Sequence, residues 1–247
     1  MTTEIIGYSQ TEKNILIENA LKVPIGAFAE NIPGVLMKLP TKENIVALTL
    51  DACGGKNDIY DDEMINWLKE NRIKATLFVS GIWAKKNRAL LKRLARNDLF
   101  KIENHGFLHK PASSNGRRAY RIRGTRNLQE LYKEVIENKK LIKGITGKAT
   151  SFYRPGTGFL DNRALNLINQ LDHEVVGYNI ISGDAEQPQN KAYILKMLHM
   201  TTKGSIIIIH MNHKNWLGFE ALREWYEKEG KQFKFIHLDD SRAKMPP

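Results

Sequence analysis

Cysteine, acidic charge and long apolar runs are all scarce in this chain of 247 residues. Its one cysteine, Cys53, cannot close an internal disulfide, so no disulfide framework holds the fold and the redox compartment stays open. Asp and Glu number 27 against 38 Lys and Arg, a formal net charge of +11. A deficit of negative charge favours acidic partners: nucleic acid, anionic lipid or an anionic cell-wall polymer. No apolar run approaches the roughly 20 residues of a membrane span; Ile206 to Ile209 is strand-sized. The first residues, MTTEIIGYSQTEKN, lack a basic stretch followed by an apolar one, so no signal peptide is legible there. Internal repeats and low-complexity linkers are also missing, which removes solenoids and disordered tethers.

What is present is an ordinary globular composition, 42% hydrophobic and 26% charged. Seven short segments rich in β-branched or aromatic residues recur: 45–50, 75–80, 100–105, 149–154, 174–179, 205–210 and 233–238. Several are almost continuously apolar, the pattern of strands covered on both faces by helices in a parallel sheet. Helical spacing lies between them, at 61–72, 127–143, from Asp161 as a cap, along NKAYILKMLHM and along WLGFEALREWYEKEG. Strand–helix alternation along the whole length predicts one α/β domain, and seven strands suit a barrel short of the usual eight. A doubly wound open sheet satisfies the same pattern. Residues 1–43 are expected to pack on this domain as a leader segment, with 44–240 as the catalytic unit and 241–247 as a tail.

Part of the positive charge is local. Arg117, Arg118, Arg121, Arg123 and Arg126 fall within ten positions that lack a helical apolar repeat, so the stretch reads as an exposed basic loop. A solvated face and a flap for a glycan or polyanion explain it equally well. No zinc-finger spacing and no aromatic-basic RNA signature accompanies it, which leaves nucleic acid a minor option.

Chemically capable residues gather at the C-terminal ends of the strand segments. Asp51 follows IVALTL, His105 closes FKIENH with His109 four residues on, Arg154 closes ATSFYR, Asp184 follows EVVGYNIISG, and His210 closes SIIIIH. A parallel barrel brings all such ends to one face, and an open parallel sheet brings them to a crevice. Each residue has an ordinary alternative: His210 as a satisfied core histidine, Arg154 as a buttress for Pro155-Gly156, Asp184 as a turn residue, HxxxH as chance. Asn104, Gly106 and Lys110-Pro111 place the two histidines in a loop after a strand, where a pair of imidazoles suits Zn²⁺, Co²⁺ or Ni²⁺. Gly54 and Gly55 allow a tight turn after Asp51.

In order and spacing these segments resemble the polysaccharide deacetylase family, also called the NodB homology domain or carbohydrate esterase family 4, over roughly residues 44–240. TLDACGG resembles its Thr-Phe-Asp-Asp-Gly motif, ENHGFLH its Asn-His-Thr/Ser-x-x-His motif, and FYRPGTG, SGDA and IIH the three that follow. The resemblance implies a (β/α)₇ distorted TIM-like barrel and a divalent metal, zinc first, with Co or Ni as alternatives. It also implies hydrolysis of acetyl groups on sugars. His105, His109 and Asp51 would be metal ligands, with Asp51 also the general base; Arg154 would hold Asp51. His210 would be the general acid, with Asp184 as its partner. Two positions depart from the pattern. Ala52 stands where the family has a metal-binding aspartate, so Asp51, Cys53, Asp58 or water must complete the shell. Ala185 replaces the tryptophan of the fourth motif.

The expected substrate is N-acetylated peptidoglycan, because an anionic wall polymer matches the basic loop; another cell-surface polysaccharide, chitin oligomers, acetyl-xylan and exopolysaccharide are alternatives. Action outside the cytoplasm follows from that substrate class. A glycan-binding pseudoenzyme, motivated by Ala52, and a small-molecule amidohydrolase are the rival readings.

Overall fold

The computed structural model describes residues 8–55, 60–186, 188–213 and 217–240. Asp58 and the tail 241–247 therefore lie outside the described residues. In chain order the main elements are helix α1 (Gln10–Lys22), strand β1 (Ile45–Ala52), α2 (Asp62–Glu70), β2 (Ala75–Val79), α3 (Gly81–Lys86), α4 (Arg88–Leu94) and β3 (Phe100–Asn104). There follow α5 (Leu128–Thr146), β4 (Phe152–Tyr153), α6 (Asn162–Gln170), β5 (Glu174–Val175), β6 (Ile180–Ile181), α7 (Lys191–His199), β7 (Ile206–His210), α8 (Leu217–Lys228) and β8 (Lys234–Phe235).

These strands pair in parallel in the order β6-β7-β1-β2-β3-β4-β5, with β8 beside the start of β1. The connectivity forces the sheet to curl. Six strand spacings of about 4.8 Å would separate β6 from β5 by roughly 29 Å in a flat sheet. Only residues 176–179 join those two strands, and that link spans at most about 18 Å when fully extended. Of the segment expected as one strand at 174–179 only Glu174–Val175 is strand; it and Ile180–Ile181, just beyond the segment, hydrogen-bond to opposite ends of the path. At the break, Leu36 pairs with Val176. The result is the distorted (β/α)₇ barrel expected from the sequence, a single α/β domain.

Strand alternation sorts the side chains into two layers. Leu48, Leu50, Ala52, Leu77, Val79, Ile207 and Ile209 face outward and pack with Met64, Ile65, Leu68, Trp83, Leu91 and Trp225 of the helices. Ala47, Phe78, Phe152, Val176, Ile206 and Ile208 face inward. Helix starts are fixed by side-chain caps: Asp61 accepts from Met64 N at 2.9 Å, Asn127 from Glu130 N at 2.8 Å, and Asp161 from Ala164 N at 3.0 Å. Three helices, α1, α3 and α4, were not expected; α1 lies in the leader segment, and α3 and α4, at six and seven residues and separated by Asn87, carry too little periodicity to be read. Ahead of the barrel, α1 begins in a capping box from Ser9 to Glu12 and packs on α6 through Ile17 and Ala20.

His173 precedes β5 and is buried in neutral form. Its Nδ1 meets Leu171 O at 2.9 Å and its Nε2 meets the Thr150 hydroxyl at 2.9 Å, so one ring nitrogen donates and the other accepts. Burial, with Lys139 nearby, lowers its pKa from 6.5 to about 4. As pH falls below 6.5 the unfolded chain gains a proton that the folded site refuses. This contribution, about 3 kcal/mol, is therefore complete above pH 6.5 and lost toward pH 4. Unfolding followed between pH 7 and pH 4 should show a steeper loss of stability for the native chain than for His173→Gln; matching slopes would exclude His173 as the source.

Candidate active site

The parallel register sets the chemistry side by side. His210 at the end of β7 is the partner of Asp51 in β1, and Asn104 of β3 is the partner of Tyr153 in β4. The residues that follow those two, His105 and Arg154, therefore emerge at one level. Asp51, His105, His109, Asp184 and His210 all line one cleft of about 380 Å³, together with Cys53, Tyr178 and Tyr120.

Arg154 is placed differently from the rim position expected of it. Its side chain is 0% exposed and lies beneath the cleft. Its Nη1 donates to Asp51 Oδ1 at 2.6 Å and to Thr49 Oγ1 at 2.9 Å, while Nε and Nη2 donate to Val176 O and Gly177 O. The guanidinium also stacks over Phe78 at 4.2 Å. Its backbone carbonyl accepts from His105 Nδ1 at 2.9 Å, which turns His105 Nε2 into the cleft, 3.3 Å from Asp51 Oδ2. One residue thus orients both the carboxylate and the first imidazole.

His109 follows in a loop that the chain must bend sharply to make. Gly106 has φ +76° and His109 itself φ +57°. The bend is held by Glu134 of α5, whose Oε1 accepts from Leu108 N at 2.8 Å and Lys110 N at 3.0 Å. The rings of His105 and His109 stand 4.6 Å apart, facing the same space. Across the cleft, Asp184 Oδ1 meets His210 Nδ1 at 2.9 Å, and Oδ2 accepts from His210 N at 2.8 Å. Ser182 donates to the same carboxylate at 2.7 Å. Burial opposes a charged imidazole, but Asp184, with Cys53 next, holds the His210 pKa well above its ordinary value.

Two features of this site bear on the departure from the family pattern at position 52. Cys53, one of several alternatives for the third metal ligand, lies with His105 and His109 so that their donor atoms are all within 4.8 Å of one another. Ala52 points away, into the outer apolar layer, so its missing carboxylate leaves no gap in the cleft. The arginine-rich stretch, read as a loop, carries a two-strand hairpin, Arg118–Ala119 with Ile122–Arg123, turned by Tyr120 and Arg121 at φ 46° and 66°. Tyr120 closes one wall of the cleft; its hydroxyl meets Glu30 at 3.0 Å and its ring meets Phe159 edge-on at 5.6 Å. Arg126 pairs with Glu130, whereas Arg118, Arg121 and Arg123 are exposed, and the described residues offer them no ion pair.

Residues 38–176, more than half of the chain, match the polysaccharide deacetylase family. The chain belongs to that family. This polysaccharide deacetylase is 25% identical over 201 residues to the peptidoglycan N-acetylmuramic acid deacetylase PdaA of Bacillus subtilis, covering 79% of this chain and 71% of the relative. The solved structure of PdaA has the same fold, with a TM-score of 0.68 over 94% of this chain and 89% of that one at 23% identity. A chitooligosaccharide deacetylase of Sinorhizobium fredii is 26% identical over 166 residues, 67% of this chain and 71% of the relative. A carbohydrate esterase family 4 pseudoenzyme of Bacillus anthracis shares the fold as well, with a TM-score of 0.68 at 18% identity over 85% of this chain and 69% of that one. Among the described residues, no helix is long and apolar enough to cross a membrane.

Deacetylases of this family depend on a divalent metal, and a thiol and two imidazoles facing one space are a donor set that fits one. Glu134 had no sequence motif to announce it, although a glutamate beside Val135 on the buried stripe of α5 was the available signal. Its replacement by Ala should strand two backbone donors, loosen His109 and weaken metal binding by roughly 10–100-fold, the usual cost of losing an outer-shell partner. Glu134→Gln, which keeps an acceptor oxygen, should retain most of the affinity when the variants are compared by competition with a chelator. Equal binding by Glu134→Ala and the native chain would show that the loop needs no such support.

Proposed function

We propose that this chain is a metal-dependent hydrolase that removes acetyl groups from the amino sugars of peptidoglycan, acting outside the cytoplasm, with residues 44–240 as its catalytic unit. The observation that carries the reading is the pairing of Asp51 and His210 in register on neighbouring strands, opposite in kind and facing one cleft.

Amide hydrolysis needs a base to take a proton from water and an acid to give one to a poor amine leaving group. Asp51 supplies the base: Oδ1 is anchored by Arg154, leaving Oδ2 toward the cleft. His210 supplies the acid: Asp184 holds Nδ1, so Nε2 is the atom that donates to the departing nitrogen. A positioned acid or base is typically worth about 10²–10⁴-fold. The site would take a divalent cation, zinc in this reading, whose Lewis acidity would polarise an acyl oxygen and make water more acidic. His105 and His109 would hold it, with Asp51 beside them.

The preference for peptidoglycan rests on charge and on kinship. Arg118 and Arg123 face each other across the hairpin, an unfavourable like-charge pair that an anionic partner would relieve. Muramic acid carries such a charge and neutral chitin does not. PdaA, the relative described above, acts on the muramic residue of peptidoglycan.

Acetate release should fall by at least about 10²-fold in His210→Ala and in Asp51→Asn, with the far-ultraviolet spectrum of the fold retained. Near-native rates in either variant would refute its role. Replacing Arg118, Arg121 and Arg123 together with Gln should raise KM on muramic-acid-containing fragments and leave chitin oligomers unaffected. An equal change on both substrates would remove the hairpin from substrate selection.

A further inference from the structure

The third protein ligand in this cleft is the point that the sequence pattern leaves open. Strand β1 alternates, so Thr49 and Asp51 share the inward side while Leu50 and Ala52 pack outward, and Cys53, the first residue after the strand, lines the cleft. A carboxylate at position 52 would have to leave the outer apolar layer to reach the cleft. The thiol at 53 already lines it.

The backbone fixes that thiol in place. The Ser80 hydroxyl donates to Cys53 O at 2.7 Å and also accepts from Trp83 N at 3.2 Å, so the carbonyl of Cys53 is tied to the start of α3. The next residue, Gly54, takes φ +89°, and a Cβ there would stand 2.7 Å from Ile82 Cβ and 2.8 Å from Ser80 Oγ. The turn after β1 is therefore built to one shape. It presents Cys53 Sγ 3.9 Å from His105 Nε2. The two histidines are oriented as independently, His105 by the Arg154 carbonyl and His109 by the Glu134-braced loop. Asp51, by contrast, has Oδ1 engaged by Arg154.

We infer that Cys53 is a thiolate ligand of the divalent ion, so that Cys53, His105 and His109 form the metal site and Asp51 is left to act as base. The inference rests on the metal-dependent reading above and specifies its ligand set. It also specifies which ions suit the site: a thiolate with two imidazoles selects zinc or cobalt over magnesium, calcium or manganese.

Cobalt(II) bound to the metal-free protein should give a near-ultraviolet thiolate-to-cobalt charge-transfer band. The band should vanish in Cys53→Ser and persist in His210→Ala, whose imidazole is no ligand. Zinc affinity of Cys53→Ser should fall by more than the roughly 10–100-fold that loss of an outer-shell partner costs. Because the chain has one cysteine, alkylation by iodoacetamide reports on Cys53 alone, and stoichiometric zinc should block it until a chelator is added. Cobalt bound at one per chain without the band, or zinc that leaves alkylation unchanged, would overturn the ligation and leave metal-dependent hydrolysis standing. Failure to bind either ion at all would overturn both.

Discussion

The buried pair between Arg154 and Asp51 is the contact on which the rest of the site depends. A guanidinium with no exposure must be matched by charge and hydrogen bonds, because the alternative is an unpaired ion in a low-dielectric interior. Here each nitrogen finds a partner: Asp51 and Thr49 on β1, and the carbonyls of Val176 and Gly177 between β5 and β6. The side chain thus ties the first strand to the place where the sheet breaks. Its own carbonyl sets the tautomer of His105. Substituting a lysine would keep the charge and lose the fork, since an ammonium cannot reach these acceptors in one plane.

Around that tie, orientation is divided among groups that hold other side chains in place. Asp184 and Ser182 hold His210, Glu134 holds the loop of His109, and Ser80 holds the turn of Cys53. None of these contacts makes or breaks a bond in the reaction. What they remove is rotational freedom, so that the carboxylate, the imidazoles and the thiol are arranged before substrate arrives. The glycines act on the same side: at Gly156 a Cβ would collide with the carbonyl of His109, 2.2 Å away. Backbone closeness, not only side-chain chemistry, is what allows the motifs to meet.

The outer wall of the cleft is made by another logic. Its hairpin has two non-glycine residues at positive φ and like charges across its strands. Each of these features costs stability locally. The Tyr120–Glu30 contact and the packing of Phe159 against Phe28 and Tyr120 keep it closed on the segment that precedes β1. A wall of this kind contributes shape and charge to the cleft more than it contributes to the core.

The sequence by itself determined the alternation of strands and helices, the covered parallel sheet and the reactive residues at strand ends. Those properties are local: period, apolar run length and the position of a polar residue after a strand can be read one segment at a time. The division of 174–181 into two strands could not be read so, because it arises from closing the sheet over four residues. Nor could the burial of Arg154, the support given by Glu134, or the approach of Cys53 to the two histidines. Each of these depends on which residues, distant along the chain, share one side of a strand at one level. Only the curled sheet fixes that register, and with it the outward turn of Ala52 and the inward turn of Cys53.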